Sequence, residues 1–173
     1  MGGFFGVASK EDCMVDVFFG VDYHSHLGTR RGGLAAYDDT IGLQREIHNI
    51  ENSPFRTKFE NIFDEMKGRS AIGCISDSDP QPLLIRSKLG TYAICIIGII
   101  NNAKELIEEY MNVSGGHFDS MTGGEVNNTE LVAALISQKQ DFTEGIRYVQ
   151  NSIKGTASIL ILTDKGSIIA ARD

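Results

Sequence analysis

The hydrophobic pattern changes character several times along the chain, and each change predicts an element. Residues 3–8, "GFFGVA", run on apolar without alternating, which predicts a strand buried on both faces at the start of the chain. Residues 12–23, containing "MVDVFFGVDY", fit an amphipathic helix interrupted by Gly20. After the break "GTRRGG", the segments "LAAYD" and "GLQREIHNI" predict paired strands joined through "DTIG", with Leu43, Arg45 and Ile47 alternating against Gln44, Glu46 and His48. Phe55, Phe59, Ile62, Phe63 and Met66 recur at helical spacing. They predict one helix from Pro54 to Lys67, capped by Ser53 and stopped by Gly68. Strands are expected at 70–76, 82–87 and 91–99. A helix then starts at Asn102, with Glu105 completing a capping box and Leu106, Ile107 and Tyr110 facing inward.

The stretch 113–124, "VSGGHFDSMTGG", carries no period and reads as a loop. Asn127 followed by Glu130 repeats the cap signal for a third helix, and a fourth covers 141–153. "TASILILTDKGSIIAARD" predicts a closing hairpin that turns at Asp164-Lys165-Gly166. Strands at both ends with helices between and after them point to a layered α+β domain built on antiparallel sheets.

Composition narrows the function classes. The chain has 173 residues, 42% of them hydrophobic and 23% charged, enough for one domain with its own core. The longest apolar run, "YAICIIGIINNA", is too short for a membrane helix, and the start lacks the pattern of a secretory signal, so a cytoplasmic protein without membrane contact is expected. A net charge of −7 with one isolated basic pair, Arg30-Arg31, argues against nucleic-acid binding. Cys13, Cys74 and Cys95 stand at wide spacings with no metal pattern and read as reduced, partly buried thiols. His24 and His26 could share a metal on a strand, but no third ligand follows, and a structural or surface role is the reading.

The opening "MGGFFG" raises a chemical question. Removal of the initiator methionine would leave Gly2 with a free α-amine on a glycine-rich strand, as in families whose chain terminus is the reactive group. "GGFFGV" resembles the Cys-Gly-hydrophobic-Phe-Gly opening of class-II, N-terminal-nucleophile glutamine amidotransferases, most closely the domain at the front of amidophosphoribosyltransferases. "TRRGGLAAY" is similar to that family's His-Arg-Gly segment, and "AIGCISDSDPQPLLI" to its Gly-His-Thr-Arg-Tyr segment before Gln-Pro. "YAICIIGIINNAKEL" stands where the family has His-Asn-Gly. "NNTELVAALI" resembles its Ser-Asp-Thr-Glu helix start, and "KGTASILILTDKGSIIAARD" its closing strands.

The resemblance implies a four-layer α/β/β/α fold of two stacked antiparallel sheets. It also implies a chemistry: a terminal cysteine attacks the glutamine side-chain amide, an Asn side chain and a Gly N–H hold the oxyanion, and an Arg and an Asp hold the substrate's carboxylate and amine. Carried over residue by residue, the nucleophile falls on Gly2, the carboxylate-binding Arg on Ser76, the oxyanion Asn on Ile97 beside a retained Gly98, and the amine-binding Asp on Asn128. Arg31 and Gly32 keep the family's pattern. No catalytic residue is therefore assigned. The expected pocket is a vestigial one formed by Gly2, Arg31, Gly32, Ser76, Ile97, Gly98 and Asn128.

The family continues into a phosphoribosyltransferase domain, so residues 1–173 are read as the N-terminal glutamine amidotransferase-like part of a longer protein, with no cofactor of its own. The missing domain is the implied partner and carries any Mg2+, and the full-length protein is expected to be a homo-oligomer. Two other readings fit the sequence: a working amidotransferase using unfamiliar residues, with Cys13 as the alternative nucleophile, and a binding protein that reuses the pocket or shares only the fold.

Overall fold

The computed structural model describes residues 2–172, without the side chain of Thr122. The proposed loss of Met1 and the last residue of "AARD" lie outside the described residues. Ten strands and six helices follow in the order β1 (Gly2–Ala8), α1 (Met14–Asp22), β2 (Arg31–Asp38), β3 (Gly42–Asn49), α2 (Phe55–Lys58), α3 (Ile62–Glu65), β4 (Ser70–Ser76), β5 (Leu83–Ser87), β6 (Gly90–Ile100), α4 (Ala103–Ser114), β7 (Met121–Thr122), β8 (Glu125–Val126), α5 (Asn128–Ser137), α6 (Phe142–Ser152), β9 (Gly155–Thr163) and β10 (Ile168–Ala171). A 3-10 turn at Ser25–Leu27 links α1 to β2.

Two four-stranded antiparallel sheets carry the fold, one in the order β1-β4-β2-β3 and the other β10-β9-β6-β5. Their inner faces meet through Ile72 and Cys74 of β4, Ala93 and Cys95 of β6, and Leu160 and Leu162 of β9. The intervening residues of the same strands face outward. Ala71 and Ile75 pack with α1, α2 and α3, while Tyr92, Ile94, Ile159 and Ile161 pack with α4, α5 and α6. Both faces of each central strand are covered, and that is why these strands read as unbroken apolar runs rather than as alternation. The layers are α/β/β/α, as the resemblance implied.

Several local expectations need correction. β1 is an edge strand: Phe4 enters the inter-sheet core and Phe5 packs toward α1, but both stay half-buried and Gly6 is exposed. Gly20 does not interrupt α1. A Cβ there would collide with the Phe5 ring, so the glycine lets the helix lie against β1. The helix expected over 54–67 is two short ones. Asn61 takes the cap position of the second, and the Phe55 and Phe59 rings stack 4.4 Å apart. Ser53 caps neither, and Phe63 faces partly outward while the rest of the stripe is buried.

At α4 the capping box does not form. The Asn102 side chain donates to Ser152 O at 2.9 Å and accepts from Lys154 N at 2.8 Å, and Glu105 pairs with Lys154. Asn127 does cap α5, accepting from Thr129 N at 2.8 Å and Glu130 N at 3.4 Å. Asp141 caps α6, accepting from Glu144 N at 2.8 Å. The 113–124 stretch holds the end of α4, a loop and the start of the small β7–β8 hairpin. The closing hairpin turns where expected, with Gly166 at φ +76°. Among the described residues no helix is long and apolar enough to cross a membrane.

Gln81 joins the layers. Its buried carboxamide donates to Ile96 O at 2.9 Å and accepts from Ile96 N at 2.8 Å, while the Thr129 hydroxyl donates to the same oxygen at 2.8 Å. Replacing it with Met keeps most of the volume and strands three buried polar groups, each costing roughly 1–3 kcal/mol. Gln81→Met is therefore expected to lower the urea midpoint by the equivalent of about 3 kcal/mol with an unchanged slope, measured by circular dichroism.

Candidate functional site

The antiparallel register places three of the singled-out residues in one row at the end of the first sheet. Gly2 is opposite Ser76 on one side of β4, and Arg31 is opposite Ser76 on the other. The far end of β6 brings Ile97 and Gly98 to the same place from the second sheet, and α5 delivers Asn128 as its first residue. Ser76, Ile97, Gly98 and Asn128, spread over more than fifty positions of sequence, line one cavity of about 250 Å³.

Gly2 lies against this cavity's apolar wall. A Cβ built on it would stand 2.9 Å from Ile97 Cδ1 and would collide with the Ile75 carbonyl oxygen. Real Cβ atoms do not tolerate such approaches, so any side chain here requires both the isoleucine and the β4 backbone to move. Ile97 has the parity of Ala93 and Cys95, the residues that face the other sheet, which explains why its side chain points toward Gly2.

The polar wall is a network of short loop contacts. Ser76 Oγ lies 3.2 Å from Ser78 Oγ and accepts from Ser78 N at 3.1 Å. Asp79, buried, accepts from Asn128 N at 3.0 Å, and the Asn127 side chain donates to Pro80 O at 3.1 Å. Glu130 accepts from Asp119 N at 2.9 Å and Ser120 N at 2.7 Å, fastening the loop that leads to the β7–β8 hairpin. The loop 76–82 and the start of α5 are thus tied together across the cavity mouth.

Arg31 and Gly32 belong to the row but not to the cavity lining. The Arg31 guanidinium donates to Arg30 O at 3.4 Å, and Gly32 lies under the Phe55 ring, where a Cβ would come within 2.8 Å of Cδ2. Gly32 is a packing position. Sequence reasoning missed Ser78, Asp79 and Gln81 as wall residues. Gln81 had a signal in its Gln-Pro context; the other two lie in a loop without period.

The remaining nucleophile candidates sit elsewhere. All three cysteines are buried and free. Cys13 is on the helix side of the first sheet, and burial, reinforced by the nearby Asp12 and Asp16 charges, pushes its thiol up to about 11. Burial also raises the Cys95 thiol well above its ordinary value. Asp77, beside the site, is held below the usual carboxylate range chiefly by the Thr29 N–H, which donates to it at 2.6 Å. His24 and His26 turn their Nδ1 atoms to the carbonyls of Gly20 and Tyr23. Among the described residues no group of three or more His, Cys, Asp or Glu side chains could hold a metal.

Comparison with known proteins identifies this arrangement. Residues 67–173 match the model of the glutamine amidotransferase domain family. The amidophosphoribosyltransferase of Methanocaldococcus jannaschii is 29% identical over 182 aligned positions that cover 100% of this chain and 38% of that protein. The glutamine–fructose-6-phosphate aminotransferase (isomerizing) of Methanococcus maripaludis is 32% identical, with 94% of this chain covered and 28% of that protein. Among solved structures, the glutamine phosphoribosylpyrophosphate amidotransferase from B. subtilis, complexed with ADP and GMP, superposes with a TM-score of 0.81 at 26% identity, covering 100% of this chain and 37% of that one. A second structure, of the allosteric regulatory enzyme of purine biosynthesis, gives 0.82 at 26% identity with the same coverage. This chain therefore spans well under half the length of these relatives. With the family model, the sequence relatives and the superposed fold in agreement, the chain belongs to the class-II glutamine amidotransferase domain family and is homologous to the N-terminal domain of amidophosphoribosyltransferases.

Proposed function

We propose that this domain no longer hydrolyses glutamine and serves as a scaffold or regulatory domain of an amidophosphoribosyltransferase-like protein. The observation that carries the reading is the contact at Gly2, where the nucleophile of the family would stand: the residue has no side chain, and Ile97 Cδ1 and the Ile75 carbonyl occupy the space a side chain would need. Covalent attack needs a nucleophile, and its loss removes the route rather than slowing it.

The other cavity residues support the same conclusion. Ile97 offers no donor where an oxyanion would form, and one such donor is worth ~10²–10³ in rate. Ser76 cannot replace the bidentate charge pairing of an arginine with a carboxylate, and Asn128 brings no charge to an ammonium. Each lost charge-assisted contact removes roughly 1.5–3 kcal/mol of glutamine affinity.

In this reading the full protein carries a phosphoribosyltransferase domain with Mg2+, forms homo-oligomers and works in the cytoplasm. Its reaction is the transfer of an amino group to phosphoribosyl pyrophosphate using ammonia. The length and names of the relatives support this: their chains run on far beyond the matched region.

Incubated with glutamine, the purified chain should release no glutamate above a buffer blank in a coupled glutamate assay. Turnover within a hundredfold of an ordinary glutaminase would end the reading. Cys13 should not rescue it. With its thiol titrating near 11, it stays protonated at pH 8, and all three cysteines should remain unreactive toward a disulfide reagent until denaturant is added.

Gly2→Cys alone should stay inactive and lower the melting temperature, because the new side chain meets Ile97 and the Ile75 carbonyl. Combining it with Ile97→Asn, Ser76→Arg and Asn128→Asp tests the residue correspondences, with thermal melts establishing that the variant is folded. Activity in Gly2→Cys but not in a folded quadruple variant would overturn the assignments at 76, 97 and 128.

A further inference from the structure

The second sheet is left unfinished beside the cavity. β5 pairs with β6 only as far as Leu83 opposite Ile94, whereas β6 continues to Ile100 along β9. In an antiparallel ladder, successive residues aim their N–H and C=O groups at opposite edges. The phase is set by two contacts: Asn101 N donates to Lys154 O at 2.9 Å on the β9 side, while Ile96 turns both of its groups to Gln81 on the other side. Ile97 and Ile99 therefore bond β9. Gly98 and Ile100 aim their N–H and C=O away from it, along the edge that β5 has vacated.

Gln81 shows what this edge accepts. Its carboxamide takes the place of a strand residue at Ile96, satisfying the donor and the acceptor together. The next two equivalent positions, about 7 Å apart at strand spacing, face open space. That space is the 250 Å³ cavity and an adjoining cleft of about 710 Å³ that shares Ile100 and Asn128 with it. Ile99, on the edge's inner face, is 67% exposed.

We propose that this edge binds an extended, basic peptide segment, which adds a strand antiparallel to β6 along Gly98–Ile100 in the track of a prolonged β5. Two donor–acceptor positions one strand repeat apart match a peptide backbone and exceed what a single small amide can use. The basic character follows from the rim. The cleft is bordered by Glu105, Glu108 and Glu125 against Lys104 alone, and Glu105 shares its charge with Lys154. The chain's net charge of −7 adds a long-range attraction for cations. Ile97 and Ile99 offer apolar contact to an alternate side chain of the added strand. The proposal stands on backbone geometry and holds whether or not glutamine is hydrolysed, so glutamate release by the native chain would end the previous reading and leave this one intact.

The test is a titration of the 15N-labelled chain with acetyl-Gly-Lys-Val-Lys-Gly-amide. The amide signals of Gly98 and Ile100 should shift, and their hydrogen exchange should slow about tenfold at nine-tenths saturation, since only the free fraction exchanges. Ile97 and Ile99, already bonded to β9, should keep their exchange rates. The acidic analogue acetyl-Gly-Glu-Val-Glu-Gly-amide should bind about tenfold more weakly. Ile100→Pro deletes one donor from the open edge without touching the β9 ladder, and Glu108→Gln with Glu125→Gln removes rim charge at no cost to the fold; both should weaken the basic peptide. Equal affinity for the two peptides, shifts that map elsewhere, or unchanged affinity in both variants would overturn the proposal. So would protection of Gly98 without peptide in a self-associated species seen by sedimentation, which would make a second copy the occupant.

Discussion

The carboxamide of Gln81 is the contact on which the geometry of the site depends. It reaches from the β4–β5 loop to the backbone of β6 and to the start of α5, so three segments distant in sequence meet at one buried group. Its own carbonyl oxygen lies 3.4 Å from the Cys74 thiol of the first sheet, which adds a fourth. In a low-dielectric interior such a network is strong when complete and costly when broken, because each orphaned group loses its hydration without replacement. Loop 76–82 is held in one place for that reason, and with it Ser76, Ser78 and Asp79.

The layered architecture keeps most of the cavity's lining apart from the residues that stabilise the fold. Stability resides in three apolar clusters, one between the sheets and one under each helical layer, and the cavity lies at the end of the sandwich, where Ile96 and Ile100 of the second sheet's outer cluster line it. Ser76, Ile97 and Asn128 belong to none of the three clusters. Gly2 and Ile97 are different, because they face each other: an isoleucine fills space that opens only where the opposite strand carries a glycine. The two positions form one packing unit, so a side chain added at position 2 requires a smaller one at position 97.

The same geometry leaves a polar edge unsatisfied by the protein. A sheet edge is ordinarily blunted by charge, proline or a covering loop. Here the side chain of Gln81 covers only the first position, and the edge then continues into a cleft with acidic borders.

Much of this was legible in the chain. The order of strands and helices points to a layered α+β domain, and the family resemblance supplies the two stacked sheets with helices outside. The cap at Asn127 and the turn at Gly166 are local chemistry that a sequence states directly. The motifs also marked Gly2, Ser76, Ile97, Gly98 and Asn128 as members of one site. What they could not state is contact. Gly20 continues its helix because Phe5 lies against it, Asn102 forgoes capping because Ser152 and Lys154 claim its amide, and the stripe over 55–66 is split between two short helices that keep most of it buried. Arg31 and Gly32 share the motif but not the cavity, since the Arg31 guanidinium turns to Arg30 O and Gly32 packs under the Phe55 ring. The approach of Ile97 to Gly2 and the open edge at Gly98 depend on sheet register and on where β5 ends. Both are set by pairing across long sequence separations, which no local propensity encodes.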